Sequence, residues 1–256
     1  MKLTALAISC GGTGGHFNPG LSIARALKAR GGKPVLILGG KHVVKQAETA
    51  AEYGIEAVRI EAVPLTKNPF RLPMFFKHLF AGAAQTKAAY RKYGCQALLC
   101  MGSFASFPPA LAARLNRFPL FLHDGNAKIG RANRMLSRWA KALALSFPVK
   151  DVSRCKCPTI LTGMPLRPEI VSGVMDKADA VAEINRRWNA GFSPEKPLLL
   201  VFGGSLGART INTKVKIPVG LPGANDLQVV RLVGPGNLEA IRPLYAASPA
   251  KELILE

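Results

Sequence analysis

The chain is poor in acidic residues, and this shortage limits the partners that it can have. Only 15 of its 256 residues are Asp or Glu, against 35 Lys or Arg, and the formal net charge is +20. Such an excess predicts an anionic partner: a nucleic acid, an anionic lipid or a phosphorylated substrate, or else a solvated basic face without a partner. No zinc-finger, recognition-helix or RNP-type motif accompanies the charge, so we expect no nucleic acid partner.

Cysteines and long apolar runs are also scarce. Five cysteines at irregular spacing form no disulfide framework and indicate a reducing compartment. Cys155-Lys-Cys157 lacks the spacer and the second ligand pair of a zinc site, so we expect no bound metal. The amino terminus shows no secretory segment, and no apolar run approaches the ~20 residues that a membrane-spanning helix needs. We expect a cytosolic protein, or one bound to a membrane from the cytosolic side.

Glycine, in contrast, is concentrated in a loop near the amino terminus. An apolar run at 3–9 predicts a strand that ends in CGGTGGHFNPG and leads into a helix. Glycines let a ligand approach the main chain, and the free N–H groups of a helix's first turn favour an anion. The spacing matches neither the dinucleotide fingerprint nor the P-loop, so a phosphate or diphosphate cradle is the hypothesis. A tight turn without a ligand is the alternative.

Two further junctions have the same form. GSFASFPP follows the apolar run 97–101, and GGSLGAR follows the run 198–202. In open α/β sheets such junctions lie at the carboxyl ends of the strands, where ligands bind.

The order of apolar and amphipathic segments predicts the fold class. Short strand-like runs alternate with helical patterns, which is typical of βαβ units and parallel sheets. We expect an α/β protein with two Rossmann-like domains, divided near GMPLRPE at 163–169. Two strands and the start of a third do not complete a doubly wound sheet, so we expect the second domain to be incomplete.

The segment PFRLPMFFKHLF at 69–80 combines four phenylalanines with Arg71 and Lys77. Apolar side chains interleaved with cations suit a surface that dips into a lipid interface and contacts anionic headgroups. A core helix flanked by two exposed cations is the alternative interpretation.

Five segments occur in an order that is typical of one family: GGTGGH, MGSFASFP, HDGNAKIGRANR, GMPLR and GGSLGAR. On these segments the chain resembles the MurG family of GT-B glycosyltransferases. The resemblance covers essentially all 256 residues, and relative to the family we expect the chain to be truncated at its carboxyl terminus. The resemblance implies an acceptor- and membrane-binding Rossmann-like domain at 1–163 and part of a UDP-sugar-binding domain at 164–256.

The resemblance also implies the activity. It is the inverting, metal-independent transfer of N-acetylglucosamine from UDP-N-acetylglucosamine to undecaprenyl-diphosphate-N-acetylmuramyl-pentapeptide in peptidoglycan synthesis, and thus a part in cell wall biogenesis, cell shape and cell division. No cofactor is implied, and the location is peripheral, on the cytoplasmic face of the bacterial inner membrane. The alternatives are another GT-B lipid glycosyltransferase, of the diacylglycerol type, and a non-catalytic acceptor-lipid-binding half.

Site residues follow from the matched motifs. His16 is the candidate base for the acceptor hydroxyl because imidazole titrates near neutral pH; a histidine that only caps the helix or hydrogen-bonds the loop is the alternative. Arg167 is expected to neutralise the leaving phosphate. The substrate-binding candidates are Thr13, Gly14, Gly15, Phe104, Ser106, Asn126, Arg167, Gly204, Ser205, Leu206 and Gly207.

The chain departs from the family at three places. HDGNA stands where the family has HEQNG, so Asp124 is one methylene shorter than glutamate. Ser103-Phe104 stands where the family has Gly-Tyr, which removes a hydroxyl that could bond the acceptor. The family's donor-ribose glutamate and a glutamine-containing donor segment would follow Glu256, so we expect weak donor binding.

Overall fold

The computed structural model describes residues 4–66, 68–204 and 207–256 and divides the chain into two compact units. The first unit is Met1–Ser172 and the second is Gly173–Glu256. The division lies nine residues beyond the expected boundary at 163–164. The intervening segment belongs to the first unit and contacts it. There the Arg25 guanidinium donates to the Glu169 carboxylate at 3.0 Å and lies 4.0 Å from the centre of the Tyr53 ring.

In the described part of the first unit, seven strands form one parallel sheet. Their order is β3-β2-β1-β4-β5-β6-β7, so the chain moves outwards from β1 in one direction and then returns to continue from β4 in the other. This reversal creates a topological switch point between β1 and β4. The strands are β1 (Ala5–Ser9), β2 (Lys33–Gly39), β3 (Glu56–Ile60), β4 (Ala97–Cys100), β5 (Leu120–Asp124), β6 (Ala142–Leu145) and β7 (Thr159–Leu161).

Helices connect these strands. Short 3-10 turns at Pro69–Arg71 and Phe104–Ser106 directly precede the helices that begin at Leu72 and Phe107. The first helix begins at Gly14, directly after the glycine-rich loop. The helices are α1 (Gly14–Ala29), α2 (Val43–Glu52), α3 (Leu72–Lys92), α4 (Phe107–Asn116), α5 (Arg131–Leu136) and α6 (Pro168–Ser172).

The apolar core lies on both faces of this sheet. Val35 and Ile37 of β2 belong to one buried cluster, whereas Leu36 and Leu38 belong to another. Successive strand residues point to opposite faces, so a strand that is covered on both sides reads as a continuous apolar run. This explains why the strands were predictable from short apolar runs.

The second unit is smaller and has the same construction. Its described strands form a parallel sheet in the order β10-β9-β8. The expectation of an α/β fold with two parallel sheets is therefore confirmed, and the described sheet of the second unit is the smaller of the two. The elements are α7 (Lys177–Trp188), β8 (Leu198–Phe202), α8 (Arg209–Lys214), β9 (Gln228–Leu232), α9 (Leu238–Ile241) and β10 (Lys251–Leu255).

Within the described ranges, none of the helices has both the length and the apolar character needed to span a bilayer. All five cysteines are free thiols, and Cys10, Cys95 and Cys100 are buried.

Candidate functional site

A cavity of about 370 Å³ opens in the first unit beside the switch point. Its walls come from α1 and from the segments that follow β4 and β5, so elements from three neighbouring strands converge there. Ligands of open α/β sheets bind at such a place. The lining residues are His16, Met101, Gly102, Ser103, Phe104, Phe107, Asp124, Asn126, Gly130, Arg131, Ala132 and Asn133.

The first glycine loop is shaped by close backbone contact. A Cβ on Gly11 would lie 2.3 Å from the Gly39 nitrogen, so only glycine fits there. Gly14 and Gly15 are exposed at the start of α1, and Thr13 caps the helix without a side-chain hydrogen bond to its backbone. Since the first N–H groups of a helix have no intrahelical partner, those of Gly14 and Gly15 are available to an anion.

His16 is half-buried and lines the cavity. Its Nδ1 lies 2.9 Å from the Thr13 Oγ1, and its Nε2 faces Gly102, where a Cβ would come within 3.3 Å. Burial lowers the pKa of His16, and the negative charge of Asp124 opposes that shift. The imidazole is therefore neutral at neutral pH. When Nδ1 carries the proton and donates it to Thr13, Nε2 has a free lone pair.

Asp124 organises the wall that follows β5. Its carboxylate accepts hydrogen bonds from the Asn126 N–H at 3.0 Å, the Asn126 Nδ2 at 2.8 Å, the Gly130 N–H at 2.8 Å and the Asn133 Nδ2 at 3.0 Å. The side chain is 1% exposed, and a buried carboxylate needs such donors to offset its lost hydration. One side chain thus fixes the fold of residues 126–133.

Sequence reasoning missed the roles of Asp124 and Asn133. The available signal was a carboxylate at the end of a buried strand, which requires several donors nearby. Asn133 is 2% exposed and also donates to the His123 carbonyl at 2.8 Å, while its Oδ1 accepts no hydrogen bond from the described residues.

The second loop holds two of the predicted residues in different ways. Phe104 lines the cavity. Ser106 does not, because it is fully buried and its hydroxyl donates to the Gly102 carbonyl at 2.6 Å. Ser106 therefore shapes the loop from inside the fold instead of presenting its hydroxyl to a ligand. Between them and β4, Ser103 has a φ of 72° and a ψ of 168°, a region that almost only glycine occupies.

Asn126 and Arg167 lie at different places in the first unit. Asn126 is exposed at the cavity rim, and although its Nδ2 is bound to Asp124, its Oδ1 accepts no hydrogen bond from the described residues. Arg167 is exposed directly before α6 and is not among the residues that line the cavity. Its role in binding the leaving phosphate stays a prediction.

The third glycine loop lies in the second unit. Gly204 is exposed, and its carbonyl accepts from the Gly207 N–H at 2.8 Å. Gly207 has a φ of +77°, and a Cβ there would lie 2.1 Å from the Val233 carbonyl oxygen. Ser205 and Leu206, also predicted to bind substrate, lie outside the described residues.

Comparison with known proteins identifies the family. Residues 6–145 match the model of the glycosyltransferase family 28 N-terminal domain. The chain belongs to this family. The matched range contains every residue that lines the cavity, so the cavity lies within this chain's family 28 domain.

Curated relatives confirm the resemblance to the MurG family. A Thermus thermophilus protein named UDP-N-acetylglucosamine--N-acetylmuramyl-(pentapeptide) pyrophosphoryl-undecaprenol N-acetylglucosamine transferase is 36% identical over 241 residues. The Frankia casuarinae protein of the same name is 32% identical over 243 residues. Each match covers 93% of this chain, but the chain spans only 66% and 62% of the two relatives' lengths.

A solved structure has the same type of fold as this chain. The crystal structure of Acinetobacter baumannii MurG has a TM-score of 0.66 and 23% sequence identity to it. The match covers 98% of this chain and 66% of that one. This likeness confirms the expected GT-B type of fold.

The first prediction concerns the protonation of His16. Burial favours the neutral imidazole, so His16 should titrate below the ordinary value of 6.5 and should be charged only at lower pH. Asp124→Asn removes the charge that opposes the shift and should lower the midpoint further. Long-range ¹H–¹⁵N NMR of the imidazole measures both. Glu56→Gln, at the amino end of β3, is the control and should leave the midpoint unchanged; a midpoint of 6.5 or above in the wild type contradicts the assignment.

The second prediction concerns the backbone at Ser103. Replacing Ser103 by glycine removes the side chain that makes its positive φ unfavourable, so the free energy of unfolding should rise by about 1 kcal/mol. Ser103→Ala keeps the strain and should give no gain. Urea unfolding of both variants tests this, and equal stabilities would show that the backbone at position 103 is not strained.

Proposed function

We propose that this chain contains the acceptor-binding unit and part of the donor-binding unit of an N-acetylglucosaminyltransferase of the MurG type. The substrates of the whole enzyme are UDP-N-acetylglucosamine and undecaprenyl-diphosphate-N-acetylmuramyl-pentapeptide. The observation that carries the proposal is the cavity at the switch point, which His16 lines from the first turn of α1. Gly14 and Gly15 do not line the cavity, but they begin the same helix turn directly before His16 and are exposed. The names of the curated relatives supply the substrates.

The acceptor diphosphate binds at the start of α1 in this proposal. Thr13, Gly14 and Gly15 are exposed there and offer main-chain N–H groups and a hydroxyl. Asn126, which lines the cavity, offers a sugar hydroxyl its Oδ1, which accepts no hydrogen bond from the described residues, and its orientation is fixed by Asp124. The Phe104 ring gives the cavity an apolar side against which a sugar can pack.

The chemical step is a single displacement at the anomeric carbon. The acceptor hydroxyl oxygen forms the new bond to C1 of N-acetylglucosamine, while the bond from C1 to the diphosphate oxygen breaks and its electron pair leaves with UDP. The hydroxyl proton passes to the His16 Nε2, which is unprotonated when Nδ1 donates to Thr13. Inversion at C1 follows from attack opposite the leaving group.

The donor binds through the second unit in this proposal. Gly204 and Gly207 bring main-chain groups to the UDP diphosphate, and a Cβ on Gly204 would meet no atom of the described residues within 4 Å. Arg167 supplies positive charge for the leaving phosphate.

The surface of α3 and the turn before it forms the proposed membrane contact. Phe70 is 92% exposed, and Met74, Phe76 and Phe80 are each about half exposed or more. This exposure favours a lipid-facing surface over the alternative of a core helix. Arg71 and Lys77 stand among these side chains, where they can meet anionic headgroups. In this proposal the contact is peripheral and lies on the cytoplasmic face of the inner membrane, the side on which the nucleotide-sugar donor is proposed to bind.

The membrane contact predicts a loss of vesicle binding. Phe70→Ser combined with Met74→Ser removes two exposed apolar side chains, so binding to vesicles with anionic lipid should fall about tenfold or more. Flotation with phosphatidylglycerol vesicles measures it. Leu115→Ser, 64% exposed on α4, is the matched control and should bind as the wild type does. Equal binding of all three proteins would remove α3 from the membrane contact.

Acceptor binding tests the proposed function. A soluble short-chain analogue of the lipid-linked muramyl-pentapeptide should bind to the folded chain, and Asn126→Ala should weaken binding about tenfold through loss of a polar contact. Isothermal titration calorimetry measures both. Asn116→Ala, which removes an asparagine from the end of α4, is the control. No binding by the folded wild type, together with binding of diacylglycerol, would favour the other class of lipid glycosyltransferase.

A further inference from the structure

A connected set of buried polar side chains lies behind the glycine loop of the second unit. Its members are Arg231 of β9, Asn212 of α8, Glu252 of β10, and Tyr245, which ends the 3-10 turn Arg242–Tyr245 between α9 and β10. All four are buried, with at most 8% of each side chain exposed. Buried polar groups of this kind are costly unless they are paired, so the arrangement requires an explanation.

The Arg231–Glu252 ion pair fixes the position of Tyr245. The Arg231 Nε and Nη2 donate to the two carboxylate oxygens of Glu252, each at 3.2 Å. The guanidinium carbon lies 3.7 Å from the centre of the Tyr245 ring, which is a close cation–π contact. Because β9 and β10 are adjacent in the sheet, the Arg231–Glu252 pair is held in place, and the Tyr245 ring packs against its guanidinium.

Tyr245 in turn holds α8. Its hydroxyl donates to the Asn212 carbonyl at 2.7 Å. Burial raises the pKa of Tyr245, so the hydroxyl keeps its proton and stays a donor at neutral pH. The Asn212 Nδ2 then donates to the Val233 carbonyl at 2.8 Å, which joins α8 to the end of β9.

The Val233 carbonyl is also where the glycine loop packs. A Cβ on Gly207 would lie 2.1 Å from the Val233 oxygen and 3.3 Å from the Asn212 Nδ2. At the other end of the loop, a Cβ on Gly203 would lie 2.6 Å from the Ala208 Cβ. The described ends of the loop are therefore seated against the groups that Asn212 and α8 hold in place.

We propose that Tyr245 is a positioning residue for the nucleotide diphosphate of the donor, acting through Asn212 and Val233 on Gly207. The proposal rests on the proposed function, because that function assigns the loop to the donor. The Tyr245 hydroxyl does not touch the ligand. It sets the distance of Gly207 from β9, and so the position of the main-chain groups that meet the phosphates.

Tyr245→Phe tests the proposal because it removes only the hydroxyl. Gly207 donates its N–H to the Gly204 carbonyl, so exchange of that amide with solvent reports whether the loop is held. In the variant the Gly207 amide should exchange about fivefold faster, while the amides of β9 and β10 keep their wild-type rates. UDP affinity, measured by calorimetry, should fall about fivefold, the ratio that corresponds to one hydrogen bond.

Two further variants make the result specific. Tyr90→Phe removes the hydroxyl of a buried tyrosine in the first unit, whose ring stacks on Phe118, and should change neither quantity. Arg231→Met combined with Glu252→Leu removes both buried charges together and leaves the Tyr245 hydroxyl in place. Gly207 amide exchange should accelerate in this double variant too, because the Tyr245 ring loses its contact with the Arg231 guanidinium.

Three results would overturn the inference or separate it from the proposed function. Unchanged Gly207 exchange in Tyr245→Phe would overturn the positioning role. An equal acceleration of Gly207 and of the β9 amides would also overturn it, because that result shows only a general loss of stability. A wild-type chain that binds no UDP, with Gly207 exchange still responding to Tyr245→Phe, would overturn the donor assignment and leave the contact between Tyr245 and the loop established.

Discussion

The hydrogen bonding of Asp124 is the constraint on which the first unit's cavity depends. Its buried carboxylate ends β5 and gathers four donors from the segment that follows. Without those donors the charge would be too costly to bury, and without the charge the Asn126 and Asn133 side chains would lose their common anchor. The same carboxylate acts on His16, where its charge opposes the effect of burial. One group thus holds the shape of a wall and also opposes the effect of burial on the pKa of the candidate base.

The parallel sheet brings this wall to the other two. Because β1, β4 and β5 are neighbours in the sheet, the segments after them meet at one edge although they are far apart in the sequence. Glycine at position 11 allows the first loop to approach β2, and Ser106 ties the second loop to Gly102. The second unit repeats the device on a smaller scale, with Asn212 and Tyr245 holding the end of its glycine loop. In both units, buried side chains fix exposed main-chain groups.

Much of the fold was predictable from the sequence, because strands covered on both faces appear as apolar runs and the loops that end them are rich in glycine. The cavity wall of Phe104, His16 and Asn126 was predictable from the matched motifs. The burial of Ser106, the positive φ of Ser103 and the joining of Arg231 to Glu252 were not. These three features depend on which residues the tertiary fold brings together, and local sequence patterns do not predict such contacts. Asp124 stood in a matched segment, yet its four donors could be assigned only from the structure.

Chemical-shift mapping is the most direct test of acceptor binding at the cavity beside the switch point. A ¹⁵N-labelled chain would be titrated with the soluble acceptor analogue while the backbone amides are followed by NMR. We expect the largest shifts at the amides of Gly14 and Gly15, which begin α1, and of Gly102 and Asn126, which line the cavity. Saturable shifts at other residues, with these four amides unmoved, would contradict it.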